Sequence, residues 1–167
     1  TEESLRLPLQ SMLTGAGHGY LCAEVTGIDI EARALEFSGG NGLDWDYLVV
    51  AIGGVDATFG VTGVERNAMP FKSVQQCARI GRALAALESN GGRKGERKVV
   101  VVGGGLEGIE ALGEILRRYR HSAIGTTLVE ARPRLLPEAP AVLDGHLREI
   151  CATLPVSFRC GTPVRRP

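Results

Sequence analysis

KVVVVGGGLEGIEALGEILRRYRHSAIGTTLVE, residues 98–130, is the stretch from which the rest of the chain is read. It opens with Val99-Val100-Val101-Val102, an apolar run too short to cross a membrane and bounded by glycine, which predicts a buried strand. Gly103-Gly104-Gly105-Leu106-Glu107-Gly108 follows in the pattern G-x-G-x-x-G. Apolar residues then recur at Leu106, Ile109, Leu112, Ile115, Leu116 and Tyr119, the period of a helix with one buried face. Arg117, Arg118, Arg120 and His121 gather at its end, where positive charge complements the helix dipole. Thr126 to Val129 predicts a second strand, and Glu130 stands at its end.

This order of strand, glycine turn, helix, strand and acid is what holding a dinucleotide requires. Gly103 permits the tight turn, Gly105 lets the backbone approach a pyrophosphate, and Gly108 lets the helix pack closely on the sheet. Unpaired N–H groups at the helix start would face the phosphates, and Glu130 would accept hydrogen bonds from the adenosine ribose. The competing reading is a glycine-rich strand-to-helix turn with no ligand, since a chain with 23 glycines produces such patterns by chance. Glu130 lies 22 positions after Gly108 and favours NAD(H) over NADP(H). Arg132 and Arg134 pull the other way, because arginine accommodates a 2′-phosphate.

Four stretches carry a family resemblance: GGGLEGIEALGEILRRY (103–119), TTLVEARPRLLPE (126–138), WDYLVVAIGG (45–54) and FGVTGVERNAMPFKSVQQCARI (59–80). They resemble the two-dinucleotide flavoprotein oxidoreductases, the pyridine nucleotide-disulfide oxidoreductase superfamily, and within it the type II NADH dehydrogenases. The resemblance implies an α/β fold: a Rossmann-like βαβ NAD-binding domain, incomplete, preceded by the β-meander and return strand of an FAD-binding domain. The division expected is residues 1–69 for the FAD segment with its crossover and 70–167 for the NAD domain. It also implies an internal fragment whose sheet edges the complete protein covers.

The contacts that the resemblance implies for NAD(H) fall on Gly103, Gly104, Gly105, Leu106, Glu107, Gly108, Glu130, Ala131 and Arg132. For FAD in the full-length protein they fall on Val25, Ala51 and Gly53, with Ile52 standing where the wider superfamily has threonine. Glu110 matches a glutamate close to the nicotinamide and is the candidate catalytic residue; its competing reading is an acid favoured by a helix N-terminus. Glu107 departs from the small or apolar residue usual in the turn, and an acid there is expected to weaken dinucleotide binding. The activity implied is transfer of a hydride from NADH to FAD and of electrons to a quinone-type acceptor. A disulfide reductase or NADH oxidase is the alternative enzyme, and a nucleotide-sensing or scaffolding module the alternative without catalysis.

Composition agrees with this range. With 167 residues, 19 basic and 19 acidic, the chain has no net charge, and no Lys/Arg block is dense enough to suggest a nucleic-acid surface. Arg165-Arg166 reads as a solvated tail. No signal peptide or membrane helix is visible, so a cytoplasmic protein is expected, peripheral at the inner membrane through other segments and compatible with a homo-oligomer. Cys22, Cys77, Cys151 and Cys160 have no zinc spacing, so no metal is expected; Cys77 and Cys151 read as buried thiols.

The remaining elements follow from pattern and punctuation. Residues 1–18 predict a short segment and a glycine-rich turn, with His18 as a loop residue. Tyr20 to Thr26 and Arg33 to Phe37 predict strands joined by a turn at Gly27-Ile28-Asp29, with a tight connection over Ser38 to Gly42. Leu48-Val49-Val50-Ala51-Ile52 predicts a strand buried on both faces. Val55 to Pro70 reads as a crossover. A helix from Ser73 places Val74, Cys77, Ile80, Leu84 and Leu87 on one face and ends at Asn90-Gly91-Gly92, before a charged loop over Arg93 to Lys98. Leu143, Leu147, Ile150 and Leu154 mark a further helix, and Val156-Ser157-Phe158 a third strand of the sheet.

Overall fold

The structure is a computed structural model that describes residues 7–89 and 96–164. The expected helix stop at Asn90–Gly92, the first residues of the charged loop and the Arg165-Arg166 tail lie outside the described residues. The chain divides into two compact units, Thr1–Val55 and Asp56–Pro167.

In the first unit a short helix, α1 (Leu9–Gly15), lies within the stretch read from sequence as a short segment and a glycine-rich turn. Three strands follow, β1 (Val25–Asp29), β2 (Ala34–Phe37) and β3 (Gly42–Asp44), paired antiparallel in the order β1-β2-β3. A meander is present as expected, but its first strand is shifted: of Tyr20 to Thr26 only Val25 and Thr26 are in β1, and the first turn is displaced with it. Gly27, Ile28 and Asp29 belong to β1, and the turn comes after them. The cause is local: the Asp29 carboxylate accepts the Ala32 N–H at 2.8 Å, and Arg33 adopts a positive φ of 52°. Gly27 instead sits where the β1–β2 register shifts, a place that tolerates a residue without a side chain.

The expected buried strand Leu48–Ile52 is not one. No strand is assigned there, and Val49, Val50 and Ile52 are exposed. An apolar run forms a doubly buried strand only between neighbours on both edges and layers on both faces. Among the described residues neither is supplied.

The second unit begins with the crossover, which contains one short helix, α2 (Val64–Asn67). Then come α3 (Val74–Ser89), β4 (Arg97–Val102), α4 (Leu106–Tyr119), β5 (Ile124–Val129), α5 (Val142–Cys151) and β6 (Val156–Arg159). β4, β5 and β6 form a parallel sheet in that order, with Val99 opposite Thr126 and Thr126 opposite Val156. Parallel neighbours require crossovers, and α4 and α5 are those crossovers.

α3 starts on a reciprocal cap. The Gln76 N–H donates to Ser73 Oγ at 3.2 Å, while Gln76 Oε1 accepts the N–H groups of Ser73 and Lys72 at 3.0 and 2.7 Å. Its far end is closed by Arg97, whose guanidinium donates to the Leu87 carbonyl.

The core forms where alternate strand residues meet one face of each helix. Val101, Leu112, Leu116, Leu128 and Leu135 make one buried cluster; Leu84, Tyr119 and Ile124 make a second. Several residues depart from the periodicity reading; on α5, Leu143 and Ile150 are exposed and only Leu147 and Cys151 pack against the core. Leu106 is 67% exposed, because it stands at the first position of α4, beyond the reach of the sheet. Cys77 is exposed as well: only Ile80, Leu84 and Leu87 of its helix face pack on the core, and its thiol lies instead near the Phe71 carbonyl.

Candidate functional site

The site is built where β4 ends. Gly103 has a φ of 104°, a conformation in which a side chain would be strained. Its N–H donates to the Val129 carbonyl at 2.8 Å, which keeps the glycine turn in step with the end of β5. Gly104 is buried, and its carbonyl accepts the Leu136 N–H at 2.8 Å. Gly105 is the N-cap of α4 with no side-chain cap, and a Cβ placed on it would meet nothing within 4 Å. A Cβ on Gly108 would overlap the Gly103 carbonyl oxygen, so the helix lies against its own glycine turn. The result is an uncapped helix N-terminus that faces open space, backed by a tightly packed turn. Such an end carries partial positive charge and unpaired N–H donors, which suit an anion.

Glu130 closes the other side and is only 8% exposed. One carboxylate oxygen accepts the Gly104 N–H at 2.5 Å, and the other accepts the Arg132 N–H at 2.8 Å. Its main chain is held as firmly, with its N–H donating to Arg159 O at 2.8 Å and its carbonyl accepting the Thr162 N–H at 3.0 Å. The acid expected to read a ribose therefore also ties the glycine turn to the loop after β5. An ionised carboxylate has about four acceptor positions, and the two oxygens accept one backbone N–H each.

The loop after Glu130 is internally bonded. The Arg134 guanidinium donates to the carbonyls of Leu136 and Pro137 at 3.0 and 2.7 Å, and the Arg132 guanidinium pairs with Glu138. Ala131 and Arg132 are exposed. Asp144 accepts the Leu135 N–H at 2.9 Å and Arg148 Nε at 3.0 Å. The hydrogen bond from Arg148, helped by that from Leu135, holds the Asp144 carboxyl below the usual carboxylate range. Arg148 also lies over the Phe158 ring at 5.4 Å and donates to Cys160 Sγ at 3.2 Å.

Glu107 and Glu110 both project from the start of α4 and are exposed. Glu110 makes no ion pair among the described residues, whereas Glu107 is paired with Lys72, which immediately precedes the α3 cap. Sequence reading missed Lys72, because no spacing rule joins residues 35 positions apart. The Ser-x-x-Gln signature of the cap that holds its backbone was there to be read.

The residues expected at a flavin all lie in the first unit. Val25 lies on β1 opposite Phe37, while Ala51 and Gly53 lie in the exposed segment after β3, Gly53 with a φ of 75°. Among the described residues no cluster of His, Cys, Asp or Glu has the arrangement of a metal site, and no helix is long and apolar enough to cross a membrane. Cys151 is partly buried, and that burial pushes its thiol pKa up.

A sequence model described as "Pyridine nucleotide-disulphide oxidoreductase" matches residues 9–166. A type II NADH:quinone oxidoreductase of Staphylococcus saprophyticus is 30% identical over 176 residues, which cover 97% of this chain and 44% of that protein. The chain thus spans less than half the length of the curated relatives it matches. Among solved structures, the sulfide:quinone oxidoreductase of Aquifex aeolicus superposes with a TM-score of 0.70 at 17% identity, over 96% of this chain and 39% of its own. Putidaredoxin reductase in its covalent complex with putidaredoxin gives 0.65 at 25% identity, over 98% and 38%. These neighbours share the mixed α/β fold with its parallel sheet.

Proposed function

This chain belongs to the pyridine nucleotide-disulphide oxidoreductase family, and we propose that it is the part of an NADH dehydrogenase-like flavoprotein that holds NAD(H). In this reading residues 70–167 bind the dinucleotide and residues 1–69 contribute to the flavin side through Val25, Ala51 and Gly53. The observation that carries it is the uncapped start of α4 at Gly105, open in front and closed at the side by Glu130.

Pyrophosphate is received by the N–H groups of Gly105 to Gly108, with Gly103 and Gly104 giving the close approach. Glu130, fixed by two backbone donors, presents its remaining acceptor positions to the adenosine ribose, beside Ala131 and Arg132. Glu110, one turn further along the helix, flanks the nicotinamide. Bound NADH and FAD supply the hydride chemistry, while the protein supplies position and electrostatics. In the full-length enzyme the electrons pass to a quinone-type acceptor, a reading supported by the kind of relative found at 30% identity.

The preference is for NADH over NADPH. Arg134 is engaged by two carbonyls and Arg132 by Glu138, so neither guanidinium is held ready for a 2′-phosphate, whereas the Glu130 carboxylate repels one. Calorimetric titration of the chain with both nucleotides tests this. NADH should bind the more tightly, and Glu130→Gln should narrow the difference. Equal or tighter binding of NADPH would overturn the preference, and no binding of either would overturn the dinucleotide reading.

A further inference from the structure

Glu107 is out of place for an anion site. It is the acid in the first turn of α4, inside the glycine pattern, so its negative charge competes with a pyrophosphate for the same positive helix end. Lys72 answers it: Lys72 Nζ donates to Glu107 Oε1 from the loop before α3, in the same unit.

The base of Lys72 is fixed. Gln76 Oε1 accepts the Lys72 N–H at 2.7 Å as part of the α3 cap, and Gln76 Nε2 is itself anchored on Asp56 at 3.0 Å. The side chains are 34% and 60% exposed, so the pair adds little to fold stability; exposed ion pairs of this kind rarely do. Its effect is on the charge seen at the mouth of the glycine turn.

We propose that Lys72 sets the dinucleotide affinity of this site by screening the Glu107 carboxylate from the incoming pyrophosphate. Lys72 is in this sense a positioning residue that acts through Glu107. The inference rests on the dinucleotide reading above and adds to it a residue that the glycine pattern does not contain. It also explains how an acid is tolerated in this turn: the α4 start presents a neutral pair rather than a carboxylate.

The test is a double-mutant cycle on the 167-residue chain, with NADH as probe and adenosine, which lacks the pyrophosphate, as control. Lys72→Met should raise the Kd for NADH roughly three- to tenfold at low salt, less at high salt, and leave adenosine binding unchanged. Glu107→Gln should lower the NADH Kd. The Lys72→Met/Glu107→Gln double variant should bind at least as tightly as wild type, and Lys72→Arg should keep wild-type affinity. Unfolding curves should coincide for all variants, since both side chains lie on the surface.

An unchanged Kd in Lys72→Met would overturn the proposal. So would a double variant as weak as Lys72→Met, because Lys72 would then act on the nucleotide directly. If wild type binds adenosine and NADH with equal affinity, or binds neither, the dinucleotide reading itself fails. That result is distinct from a wild type that binds NADH while Lys72→Met changes nothing.

Discussion

In β4 the valines at 99 and 101 pack beneath helices, whereas in Leu48–Ile52, a run of similar composition, Val49 is 85% and Ile52 91% exposed. The difference lies outside the runs themselves. Every residue of β4 from Arg97 to Val102 is matched to a residue of β5, and α4 returns over the sheet to cover one face. Leu48–Ile52 has no paired strand among the described residues. β4 repeats the lesson on a smaller scale: Val100 and Val102, on the opposite face from Val101, are 58% and 61% exposed. Apolar character makes burial favourable, but only a neighbouring surface makes it happen.

Substitutions at both ends of this contrast would sharpen it. Leu128, fully buried at the centre of the parallel sheet, should lose about 3–4 kcal/mol of stability as Leu128→Ala, read by urea unfolding. A loss below about 1 kcal/mol would mean that the β4–β5–β6 core is loosely packed. Gly108→Ala should cost about 2–3 kcal/mol in the same assay, because the added carbon has to displace the Gly103 carbonyl. It should also weaken NADH binding.

Acid should act on the second unit through Asp144. Its pKa is depressed in the fold, so its contribution is fully present above the unfolded carboxylate pKa and is lost as pH falls through the folded value. Unfolding monitored from about pH 4 downward should show this loss in wild type and a flatter profile in Asp144→Asn. An identical acid limb in both would show that the Arg148 and Leu135 bonds contribute nothing measurable. At the other end of the comparison, Ile52→Ala should change stability by less than about 0.5 kcal/mol. A loss above about 2 kcal/mol would break the contrast, since it would place Ile52 in a packed interior.

The thiols follow the same division between pattern and surroundings. Cys77 shares a helical face with Ile80 and Leu84, yet it is exposed, because that face meets the core only over its later turns. Cys151, beside such a face, is partly buried, and its pKa is raised accordingly.

What the sequence determined by itself is the local frame of the site. Four valines, three glycines and a helical period place β4, the turn and α4 within a residue or two, because backbone freedom, helix periodicity and strand propensity act over a few neighbours. The meander and the fold class were legible for the same reason, although Asp29 moved one turn by accepting the Ala32 N–H three residues on. Tertiary structure alone decided three matters. It turned Glu130 inward to join the glycine turn to the loop after β5, it committed Arg134 to two carbonyls, and it brought Lys72 to Glu107. Each depends on groups far apart in the chain or on which way a side chain turns once its neighbours are in place. Hydrogen bonds and charges act through space, and the spacing of letters does not carry that distance.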